Sequence, residues 1–86
     1  MYNIIERYMN KLTKEDISNF ASSKNCELSD EELDFTFKFI KKNWAEILKN
    51  PNIFDINRYK NYYSEDNFLK IKKVYREYSQ RFSAFL

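Results

Sequence analysis

The sequence predicts an all-α fold: a small bundle of four to five helices forming one domain over residues 1–86. Three observations carry that prediction. The chain has no glycine, so the tight hairpin turns on which sheets depend lack their usual residue. A stop–staple–cap signal occurs four times, with an Asn, then an apolar residue directly before a Ser, Thr or Asp, then a second apolar residue five positions after the first. Finally, apolar residues in two long segments recur at alternating steps of three and four, the repeat of a helix that buries one face.

The elements follow in order. The first helix covers about 2–10, with Ile4, Ile5, Tyr8 and Met9 as its apolar positions and Asn10 as its stop. Leu12, Thr13 and Ile17 open a second helix at about 14–24, and Asp16 with Thr13 forms a weaker version of a capping box. Asn25 ends it. Leu28, Ser29 and Leu33 open the third helix, 30–49, where Ser29 and Glu32 form a full capping box. Its seam runs Leu33, Phe37, Ile40, Trp44, Ile47. Asn50 and Pro51 stop it, and Phe54, Asp55 and Tyr59 start a short helix at 56–61. Asn61, Tyr63, Ser64 and Phe68 then open the last helix, 65–84, whose seam begins Phe68, Ile71, Tyr75, Tyr78 and continues to Phe82 and Phe85. The two long helices, 30–49 and 65–84, are expected to pack antiparallel at a shallow angle as the spine.

Composition excludes several function classes. Without His the usual base near neutral pH is missing, and without Gly there is no phosphate loop, nucleophile elbow or calcium loop. Seven acids, Glu15, Asp16, Asp30, Glu31, Glu32, Glu65 and Asp66, fall in first turns of helices, where they complement the helix dipole. Cys26 is the single cysteine, which precludes an intrachain disulfide and reads as a small buried apolar group. No catalytic, cofactor or metal residues are assigned, and no enzyme activity or small-molecule substrate is expected. The first residues lack the apolar run of a signal peptide, and no stretch matches a membrane span. The expected location is the cytoplasm. Abundant Lys, Asn, Ile, Tyr and Phe point to a low-GC bacterial or phage genome.

Two surfaces qualify for function. Phe35 and Phe39 lie one turn apart, on the side of the third helix away from its seam. Either the first helix covers them, or they form a docking surface for another protein or a second copy, ringed by Asp30, Glu31 and Asp34. The alternative is a nucleic-acid surface on the last helix: Lys70, Lys72, Lys73, Arg76 and Arg81, with Tyr75 and Tyr78 available for stacking. Residues 17–33 also have the outline of a helix-turn-helix. However, residues 27–36 carry five negative charges and no positive one, which opposes the approach of phosphates.

Asn10-Lys11-Leu12-Thr13 before an acidic amphipathic helix, Leu28-Ser29 before the next, and then Asn52-Ile53-Phe54 form a pattern over roughly residues 8–85. It resembles the YqfT-like family of short helical proteins from low-GC Gram-positive bacteria. That resemblance implies a helical fold and brings no catalytic residues with it.

Overall fold

The helix starts are realised in hydrogen bonds. Thr13 Oγ1 accepts from the Asp16 amide at 3.1 Å, and the Asp16 carboxylate accepts from the Thr13 amide at 3.0 Å. Ser29 and Glu32 exchange the same pair at 3.1 and 2.8 Å. The Asp55 carboxylate accepts from the Asn57 amide at 3.0 Å, and Ser64 Oγ from the Asn67 amide at 3.2 Å. In the computed structural model, which describes residues 2–50 and 54–83, these caps precede every element but the first. The elements are α1 (Tyr2–Lys11), α2 (Lys14–Ser23), α3 (Asp30–Lys49), a 3₁₀ segment (Ile56–Tyr62) and α4 (Glu65–Ser83). Among the described residues there is no strand.

The stops are less uniform than the starts. Asn25 has φ 61°, the left-handed conformation that asparagine tolerates. The Cys26 amide reaches back to the Ala21 carbonyl at 2.8 Å and the Asn25 amide to Ser22 at 3.0 Å, completing a Schellman motif. The other three asparagines do not act this way. Asn10 lies inside α1, Asn61 lies inside the 3₁₀ segment, and Asn50 has φ −135°. At Asn50 the stop comes from Pro51, which disfavours helical geometry in the residue before it.

The direction of the two long helices corrects the expected antiparallel spine. The amide of Ser64, just before α4, donates to Glu32 Oε2 at 2.7 Å, and Asn67 Nδ2 donates to Glu32 Oε1 at 2.8 Å. The starts of α3 and α4 are therefore tied together. Each helix is about 30 Å long, and the molecule is 33 Å in its longest dimension, so they cannot diverge end from end. The reason lies in the connection. The 3₁₀ segment runs back along α3, with Tyr59 beside Phe39 and Tyr62 beside Phe35, and returns the chain to the start of α3 before α4 begins.

This arrangement leaves the interior open. Ile17, Cys26 and Phe68 are the buried apolar side chains among the described residues. The accessible surface is 6592 Å², against roughly 5,500 Å² expected for a folded chain of this size. With so small a core, each cap matters. Ser29→Ala is expected to cost about 0.5–2 kcal/mol through loss of the α3 cap, and urea denaturation would check it. An unchanged midpoint would contradict the cap's role.

Candidate functional site

The second apolar stripe of α3 is the wall of an aromatic panel. Phe35 and Phe39 stack on each other with centroids 5.8 Å apart. Phe35 lies nearly parallel to Tyr62 at 4.1 Å, and Phe39 meets Tyr59 edge-on at 4.7 Å. Phe54 bridges Phe39 at 5.5 Å to Tyr75 of α4 at 5.3 Å. The expected cover, α1, is thus replaced by the 3₁₀ segment. The end of α1 is held elsewhere, because Lys41 Nζ donates to the Met9 and Asn10 carbonyls at 2.6 and 3.1 Å. Lys41 is on the far side of α3 from the phenylalanine pair.

Behind this panel lies a half-enclosed cavity of about 550 Å³. Phe39, Ile40 and Trp44 of α3 line it on one side, and Ile71, Val74 and Tyr75 of α4 on another. Ile17, Phe20 and Ala21 of α2, with Tyr8 and Met9 of α1, contribute further lining. Only part of each long seam faces this shared space: Ile40, Trp44 and Ile47 of α3, and Ile71, Tyr75 and Tyr78 of α4. Three charged residues reach the lining: Asp16, Lys24 and Lys70.

A polar centre closes one end. Glu32 is 6% exposed, and its carboxylate accepts from the Ser29 amide, the Ser64 amide and Asn67 Nδ2. Burial pushes its pKa up, but these donors outweigh burial and hold the carboxyl below its ordinary range. Asn67 Nδ2 also donates to the Glu27 carbonyl at 2.9 Å, and its Oδ1 accepts from Cys26 Sγ at 3.6 Å. Burial raises the Cys26 pKa, so the sulfur stays a protonated thiol. One carboxylate thus joins the starts of α3 and α4.

The acidic docking surface comes apart in three dimensions. Asp34 binds Lys14 at 2.7 Å and Lys38 at 2.9 Å, and hydrogen bonds from these two lysines lower its pKa. Asp30 and Glu31 are exposed, whereas Phe35 and Phe39 are half-buried in the panel. The basic surface separates too. Tyr75 and Tyr78 line the cavity, while Lys73 and Arg76 are exposed on the opposite face of α4. Lys70 Nζ is held by the Asn25 carbonyl at 2.6 Å and by Asp66 at 3.1 Å. Lys72 is half-buried, and the Arg81 side chain lies outside the described residues, as do Asn52 and Ile53 of the family-like pattern.

Two features are not evident from sequence reasoning, the cavity and the reach of Glu32 to Ser64. The second stripe on α3 is the signal for the first, since an extra apolar face needs an extra element to cover it. No protein family, curated protein or solved structure matches the chain. Among the described residues no helix is long and apolar enough to cross a membrane, and no group of three His, Cys, Asp or Glu residues could hold a metal ion.

Proposed function

We propose that this protein is a non-catalytic binding module that takes up an apolar guest in the cavity between α2, α3 and α4. The observation that carries this reading is the cavity itself. Its volume of about 550 Å³ lies within the roughly 300–1,000 Å³ of small-molecule pockets, which are mostly apolar with few polar groups. Water would find almost no partners there. The reading departs from the protein-docking surface expected around Phe35 and Phe39, because those rings face the 3₁₀ segment and the cavity. Absence of catalysis is supported by the chemistry at hand. The chain has no His, Glu32 is held ionised by three donors, and the Cys26 thiol is protonated.

Trp44 is the chain's single tryptophan and lines the cavity, so its fluorescence reports occupancy. Titration with 1-dodecanol, below its solubility limit, is expected to give a saturable one-to-one change in emission. Val74→Phe, which narrows the cavity, is expected to weaken that binding while leaving the circular dichroism helical. A change that never saturates, or that Val74→Phe leaves untouched, would overturn the proposal.

A further inference from the structure

Among the described residues, the rim of the cavity carries one cation without a partner of opposite charge. Lys24, the residue after α2 ends, is exposed. Its Nζ lies 5.9 Å from the Phe20 ring centroid and 5.5 Å from that of Tyr78. These two rings meet edge-on at 5.5 Å and join α2 to α4. Phe20 is 43% exposed, so this pair belongs to the mouth of the cavity and not to its floor. The other charged lining residues are engaged. Asp16 accepts from the Thr13 amide, and Lys70 is held by Asn25 and Asp66. Among the described residues no carboxylate lies within ion-pair distance of Lys24.

We infer that the guest is a single-chain amphiphile with an anionic head, its tail in the cavity and its head at Lys24. The inference rests on the binding function proposed above and adds to it the chemical class of the ligand. The Lys24 ammonium lies over two aromatic rings and remains exposed to water. An anion arriving there gains a charge-assisted contact and displaces no existing ion pair. Asp16 lies two turns back along α2, about 12 Å away. That is beyond the screening length of about 8 Å at physiological salt, so it does not cancel the lysine. A protein partner is the less favoured occupant. Among the described residues the large exposed apolar side chains are Ile4, Tyr8, Phe20, Tyr62 and Leu69; only Tyr8 and Phe20 border the cavity, and the other three lie outside its lining, so they do not form one apolar patch around its mouth.

Three probes with the same twelve-carbon tail test the inference at physiological ionic strength: dodecanoate and dodecyltrimethylammonium below their micelle concentrations, and 1-dodecanol below its solubility limit. Trp44 emission is the readout. Dodecanoate is expected to bind about 1.5-fold to fivefold more tightly than dodecanol, the range of a solvent-exposed charge contact, and the ammonium probe more weakly than either. Lys24→Gln should remove the preference for dodecanoate, read as the ratio of its affinity to that of dodecanol in the same variant, while Lys24→Glu should reverse that ratio. If dodecanol binds but dodecanoate shows no advantage, or keeps it in Lys24→Gln, the assignment of Lys24 is wrong and the cavity reading stands. If none of the probes binds, the cavity reading itself fails. Sedimentation at the same concentrations covers the remaining occupant, since self-association that blocks binding would put a second copy in the cavity and overturn the inference.

Discussion

Glu32→Gln is expected to destabilise the protein by about 3–5 kcal/mol at neutral pH. The glutamine amide presents an N–H₂ group to a site built from three donors, so at least one buried donor loses its acceptor. That loss alone costs about 1–3 kcal/mol, and the surviving bonds weaken because hydrogen bonds to a charged group are worth about 1.5–3 kcal/mol against 0.5–1.5 for neutral ones. Small domains are stable by about 5–15 kcal/mol, so the variant sits near the edge of folding. The pH dependence follows from the depressed carboxyl. A group with a lowered folded pKa contributes stability that is fully present above its unfolded value, about 4.3 for Glu. That stability is lost as pH falls through the folded value. The gap between wild type and Glu32→Gln should therefore shrink from pH 7 toward about pH 3. Urea midpoints at the two pH values check this, and a gap that stays constant would mean Glu32 is not the ionised clamp described.

Phe39→Ala is expected to cost about 2 kcal/mol, below the 3–5 kcal/mol typical of a fully buried phenylalanine, because Phe39 is only half-buried. The loss has two parts. The ring leaves its contacts with Phe35, Phe54 and Tyr59, and with the ring half-exposed these pairs contribute at the low end, about 0.5 kcal/mol each. The truncation also enlarges a cavity that is already half-open, so no well-packed wall collapses. Thermal melts at two widely separated protein concentrations distinguish the cases. The account predicts a moderate loss independent of concentration. A negligible loss would restore Phe39 as an exposed docking residue, and a concentration-dependent loss would place it between copies of the chain.

Local signals in the sequence translate directly into this structure. Thr13, Ser29, Asp55 and Ser64 cap the expected elements because a cap depends on residues two or three positions away. Asn25 stops α2 for the same reason. Non-local features do not follow from such signals. The seam of α3 predicts an apolar partner but not its direction, and the return of the chain through the 3₁₀ segment places α4 start beside α3 start. That segment has no 3.6-residue periodicity to betray its path. Glu32 reads as half of a capping box, and its Oε1 fulfils that reading. Its second oxygen serves Ser64, which is distant in sequence and close only after folding. Phe35 and Phe39 are legible as an anomaly, since a surface helix has one apolar stripe, but periodicity cannot say which element meets the extra one.

Isotope-filtered NOE spectroscopy on the protein with bound 1-dodecanol tests the central claim most directly. The account predicts contacts from the alkyl chain to Trp44 and Phe39 of α3, to Ile71 and Val74 of α4, and to Ile17 of α2, all within one complex. Contacts confined to exposed Ile4 or Leu69, or none to the residues between α3 and α4, would contradict it.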